Sequence, residues 1–99
     1  LGPRGDEPVL GKHTASMFVG THFESMMRNR AIETIIFTGI STEMGIASSA
    51  RDSGNRGFYT VVVEDAVSSA DEGMHRACLK ILERAVLVEG TQKIMACWE

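Results

Sequence analysis

With 99 residues, 43% hydrophobic and 23% charged, the chain has room for one globular domain at most. A formal net charge of −3 without long runs excludes the basic, clustered footprint of a nucleic-acid binder, and no apolar run approaches the about 20 residues that span a bilayer. Cys78 and Cys97 have neither metal-ligand spacing nor a disulfide framework, so a reducing, cytoplasmic setting is expected; no cofactor and no metal site is read in these residues.

The stretch from Leu1 to Pro8 reads as a polar loop and carries no targeting pattern. Val9-Leu10-Gly11-Lys12 is a short strand candidate, with Lys12 at its carboxyl end. His13 to Phe18 reads as a loop or a short turn of helix. Thr21 and Glu24 have the spacing of a capping box, which predicts a helix running to about Arg30. Glu33-Thr34-Ile35-Ile36-Phe37 is a short apolar run and predicts a buried strand.

The next stretch, Thr38 to Ile46, organises the rest. Gly39 stands where the strand ends, and Thr42 is placed to N-cap a helix with Glu43 favourable to its dipole. A strand feeding a helix N-terminus gathers unpaired backbone N–H groups at one point, which suits an anion or a developing oxyanion. Gly45 falls in the first turn of that helix, where it costs about 1 kcal/mol relative to Ala. Either a neighbouring backbone packs against it or a ligand must approach it. The helix is expected to stop at Gly54-Asn55, both tolerant of a left-handed conformation.

Phe58 to Glu64 is the clearest strand, β-branched and aromatic, and Asp65-Ala66 close it. Asp71-Glu72 open a helix in which Met74, Ala77, Cys78, Ile81, Leu82 and Ala85 form one apolar stripe of helical period. Cys78 is thereby assigned to the core and His75 to a solvated flank. Val86-Leu87-Val88 is a last short strand, and Thr91 caps a terminal turn through Ile94. Alternating strands and helices of this kind predict βαβ units, hence a parallel sheet with right-handed crossovers. Ligands bind such sheets beyond the carboxyl ends of the strands, where Lys12, the turn from Gly39 to Gly45 and Glu64-Asp65 all map.

Several spaced motifs carry a resemblance. They are Lys12 followed by Ser16-Met17-Phe18 and Gly20-Thr21, then Gly39-Ile40-Ser41-Thr42, Ala50-Arg51-Asp52, Arg56-Gly57-Phe58 and Glu64-Asp65-Ala66. In this order they make the chain similar to the isochorismatase-like hydrolase superfamily, which includes cysteine hydrolases such as nicotinamidase and N-carbamoylsarcosine amidohydrolase. The resemblance implies a three-layer, Rossmann-like α/β fold, incomplete in this chain, with residues 1–99 as the C-terminal portion of one domain. The family's catalytic Asp lies well upstream of its Lys, so a missing N-terminal portion of the same domain is expected to supply it. Gly45 stands where the cysteine hydrolases carry their nucleophile. At that position the chain is closer to the isochorismatase type, which hydrolyses a vinyl ether without a thioester, although Thr42 follows the cysteine-hydrolase pattern.

The resemblance further implies Lys12 as the catalytic proton carrier, against the alternative of a solvated loop lysine, and a non-proline cis peptide at Ile40–Ser41. It implies Ser41 and Gly45 as donors of backbone N–H groups to an oxyanion. Glu43 either lines the site or is a solvated first-turn carboxylate; Arg51 and Asp52 are expected to pair with other segments. The expected activity is hydrolysis of a small-molecule substrate by an Asp–Lys pair with no Cys nucleophile. Alternatives are a non-covalent amidohydrolase acting on an amide or carbamoyl compound and a non-catalytic metabolite-binding member. A homo-oligomer is expected from the family; a nucleic-acid or membrane partner is not.

Overall fold

The computed structural model describes residues 2–98. Three parallel strands, β1 (Thr34–Ile40), β2 (Tyr59–Ser68) and β3 (Leu87–Glu89), lie in the order β1-β2-β3. Helix α1 (Phe23–Asn29) precedes β1; α2 (Ala47–Asn55) joins β1 to β2, α3 (Glu72–Leu82) joins β2 to β3, and α4 (Thr91–Cys97) follows β3. The expected strand at Val9–Lys12 does not form. A strand needs a neighbour to pair its backbone groups with, and this segment lies exposed, Val9 at 74%, away from any described ladder.

The period of two along the strands splits the sheet into unequal faces. Ile35 and Phe37 of β1 and Thr60 and Val62 of β2 point into the main core. There they meet Met27 of α1, Ala47 and Ala50 of α2, Leu82 of α3, and Phe18 and Phe58. Val63 is buried on the opposite face, where Ile94 and Met95 of α4 lie over it, while Tyr59 and Leu87 on that face remain exposed. Helices thus lie on both sides of the sheet, as the alternation predicts.

Local signals decided the element ends unevenly. Asp71 caps α3 as expected, its carboxylate accepting the Met74 N–H at 3.1 Å. Thr21 and Glu24 do not form a capping box. The Thr21 hydroxyl donates to the Met17 carbonyl and accepts from the Phe23 N–H, while Glu24 pairs with Arg28 and Arg56. The left-handed residue after α2 is Gly57, φ +92°, rather than Gly54 or Asn55. β2 does not close at Asp65-Ala66: its register against β1 jumps from Phe37↔Val62 to Gly39↔Val67, and pairing resumes as far as Ser68. The apolar stripe of α3 is only partly covered: Leu82 is fully buried, but Met74 and Ile81 are 52% and 54% exposed.

Candidate active site

Strand β1 ends at Ile40, and the Ile40–Ser41 peptide bond is cis. The chain then enters a single π-helical turn, Thr42–Ile46, that runs without a break into α2. The Ser41 carbonyl accepts the N–H groups of Met44 and Ile46, both at 3.1 Å. The second of these spans five residues and makes the turn wider than an α-turn. Ser41, extended at φ −97° and ψ 142°, occupies the N-cap position, and no side chain caps the turn. Backbone N–H groups therefore gather beyond the carboxyl end of β1, as a strand leading into a helix requires.

Thr42 does not serve as the cap. Its side chain is fully buried, its Oγ1 shares a 2.8 Å hydrogen bond with His75 Nδ1 of α3, and its carbonyl accepts from Cys78 Sγ at 3.4 Å. His75 is accordingly half-buried instead of solvated. Cys78 faces the same turn and is also half-buried, consistent with its core assignment; burial pushes its thiol pKa up, which suppresses the reactive thiolate. Glu43 is not a free first-turn carboxylate. The hydroxyls of Ser41 and Ser69 donate to it, the latter at 2.6 Å, and together they hold its carboxyl below the usual glutamate range.

Lys12 reaches the turn from an exposed loop. A Cβ placed on Gly45 would lie 3.3 Å from Lys12 Nζ, with the carbonyl oxygens of Ala15 and Ile40 at 3.6 Å. The carbonyls are at ordinary contact distance, and the tip of a lysine can move aside. No packed backbone therefore demands glycine at position 45. Lys12 Nζ donates to the Ala15 carbonyl at 2.8 Å and the Thr14 carbonyl at 3.2 Å. An ammonium has three donors, so one N–H remains for whatever enters beside Gly45.

The polar side of α2 holds this loop in place. The Ser16 hydroxyl donates to Asp52, and the Ser49 hydroxyl accepts the Met17 N–H at 3.0 Å. Asp52 thus pairs with another segment as expected. Glu64 and Asp65 do not join the site: Glu64 is exposed, and Asp65 accepts from the N–H and hydroxyl of Thr91, which lower its carboxyl pKa and anchor the start of α4. Sequence reasoning placed His75 on a solvated flank and did not single out Ser69 or Ser49. A signal existed for His75, which precedes Cys78 by three positions and so shares its helix face.

Among the described residues, no three His, Cys, Asp or Glu side chains come together as a metal site, and no helix is long and apolar enough to cross a membrane.

Residues 1–93 match the Isochorismatase domain family. The chain is 37% identical over 84 residues, 84% of its length, to ureidoacrylate amidohydrolase RutB of Methylobacterium radiotolerans, and covers 33% of that protein. It is 34% identical over 96 residues, 96% of its length, to the isochorismatase family protein YecD of Escherichia coli O157:H7, covering 51% of it. Among solved structures, an isochorismatase-like hydrolase from Alkaliphilus metalliredigens superposes with a TM-score of 0.97 at 26% identity, over 100% of this chain and 55% of that one. The chain thus spans about a quarter to a half of the length of the curated relatives it matches.

Proposed function

Since the chain belongs to the isochorismatase domain family, we propose that it works in the hydrolysis of a small molecule, with Lys12 as the proton carrier and without a thiol nucleophile. The observation that carries this reading is the 3.3 Å separation between Lys12 Nζ and the Cβ position of Gly45. By the family resemblance Gly45 takes the place of the cysteine hydrolases' nucleophile, so this distance puts Lys12 Nζ beside that place and beside a turn of backbone N–H groups. The N–H groups of Ser41 and Gly45 are assigned to the oxygen that gains charge in the transition state. Lys12 forms no ion pair among the described residues. Its carboxylate partner is assigned to an upstream Asp, as in the family.

Two reaction types fit a proton carrier at Lys12, and the oxyanion donors serve the second. In the isochorismatase type, the Asp–Lys pair gives a proton to the alkene carbon of a vinyl ether, water adds to the resulting cation and returns a proton to the pair, and the hemiketal collapses to a ketone and the alcohol. In the second, water attacks an amide or carbamoyl carbon directly, the carboxylate accepts the water's proton, and Lys12 returns one to the leaving nitrogen. The similarity to ureidoacrylate amidohydrolase RutB favours the second substrate class. The test is turnover of isochorismate and of ureidoacrylate by the full-length protein, before and after treatment with iodoacetamide. Hydrolysis of either substrate, unchanged by alkylation, is expected. Loss of activity on alkylation overturns the thiol-free mechanism, and no turnover of either substrate overturns the assignment of these two classes.

A further inference from the structure

We infer that His75 is a positioning residue for the turn from Ser41 to Gly45: its imidazole holds Thr42, and through Thr42 the backbone N–H groups beside Lys12. This rests on the reading of that turn as the reactive centre.

Three contacts brace the turn from the segment that follows β2. His75 Nδ1 meets Thr42 Oγ1 at 2.8 Å, Cys78 Sγ donates to the Thr42 carbonyl at 3.4 Å, and Ser69 Oγ donates to Glu43 at 2.6 Å. Thr42 and His75 are 33 positions apart, so this is a tertiary tie and not a helix cap. The contact sits at a sensitive place. Thr42 follows Ser41, opens the π-helical turn, and is fully buried. A buried hydroxyl needs a partner, and His75 Nδ1 provides one. Without it the buried hydroxyl is left unpaired, and the turn must shift to bring it to another partner, carrying the backbone N–H groups of Ser41 to Gly45 with it. Glu43 and Ser41 are themselves linked by a hydroxyl–carboxylate bond, so a displacement at Thr42 spreads to both sides. His75 sits one turn into α3, whose other end is anchored by the fully buried Leu82. The imidazole is therefore carried on a firm element, as a positioning group requires.

The geometry of the turn can be read without a substrate. In a G45C variant the new thiol lies beside Lys12 Nζ and the turn's N–H groups, both of which favour thiolate. Its alkylation rate by iodoacetamide, followed by peptide mass spectrometry at neutral pH, reports their alignment. Cys97, exposed, and Cys78, half-buried, are internal references. On the G45C background, H75L is expected to slow labelling of Cys at 45 about tenfold, the effect of one pKa unit. H75N, whose amide reaches the place of Nδ1, is expected to restore most of the rate. T42V is expected to match H75L, and the T42V/H75L pair to be no slower than either alone, because the two act through one contact. In full-length protein without G45C, H75L should lower kcat and leave KM nearly unchanged.

Parent-like labelling in H75L, or fully additive effects in the double variant, overturns the inference while leaving the reading of the site intact. If G45C itself labels no faster than Cys97, the turn is not the reactive centre and the two fall together. Should H75L not fold, H75N against H75Q decides: equal labelling in both overturns the role of Nδ1.

Discussion

The two sides of the candidate site are built differently. On one side, Thr42 is fully buried and tied by side chain and carbonyl to α3, on a helix packed into the main core through Ile46, Ala47 and Ala50. On the other, Lys12 comes from an exposed segment without regular structure, held by the carbonyls of Thr14 and Ala15 and, behind them, by Ser16 on Asp52. The difference matches the tasks proposed for the two sides. Donors that must meet a developing charge are useful only if they do not reorganise during the reaction, so they belong on the rigid side. A group that carries a proton needs reach, and a four-carbon side chain on a tethered loop provides it.

The comparison fails if Lys12 proves to matter for folding or Thr42's side does not. K12M should lower turnover of the full-length protein by ~10²–10⁴-fold, as removal of a positioned acid or base does, with little change in melting temperature. Unaltered turnover would leave Lys12 a loop residue. L82A should act in the opposite sense: by emptying a fully buried site under α3, it should cost about 2–5 kcal/mol of stability by chemical denaturation. A cost within 0.5 kcal/mol, about what an exposed site shows, would mean that the rigid side is not rigid.

Smaller effects sharpen the contrast. D52A removes the acceptor of the Ser16 hydroxyl from the half-buried joint between loop and helix, and should cost about 1–3 kcal/mol, with kcat falling in parallel as Lys12 loses its anchor. Full stability with unchanged kcat would show that the loop holds itself. Glu43 supplies a pH test. Hydrogen bonds from Ser41 and Ser69 depress its carboxyl pKa in the folded chain. Its contribution to stability is then present above the unfolded glutamate pKa of about 4.3 and lost as pH falls through the lower folded value. The stability difference between wild type and E43Q should narrow on acidification below that point, and a constant difference in thermal melts would contradict it. Least of all, R76A breaks an ion pair with Glu72 in which both side chains are largely exposed, and should shift stability by no more than about 0.5 kcal/mol.

Much of the scaffold was legible in the amino-acid sequence because its signals are short-range. The apolar run Thr34–Phe37, the β-branched run from Tyr59, the Asp71 cap and the period of α3 each depend on neighbours within a turn or a few residues. Their alternation is enough to require parallel strands with helices between them. The cis bond at Ile40–Ser41 and the role proposed for Lys12 came through the family resemblance, whereas Gly45 already stood out as a glycine in the first turn of a helix. What local pattern misjudged were the places where a distant partner decides. Val9–Lys12 has strand-like residues but no strand beside it. Thr42 has the chemistry of a cap, yet its hydroxyl turns inward to His75. The capping-box pair Thr21 and Glu24 found partners at Met17, Arg28 and Arg56 instead of each other. The position of Lys12 against Gly45, 33 residues on, exists only once α2 and the loop before α1 are locked by Ser49 and Asp52. Propensity, period and capping operate over a few residues and are written in the chain. Which buried hydroxyl finds which acceptor is set by how helices and loops close on one another, so only the tertiary structure decided the contacts around the candidate site.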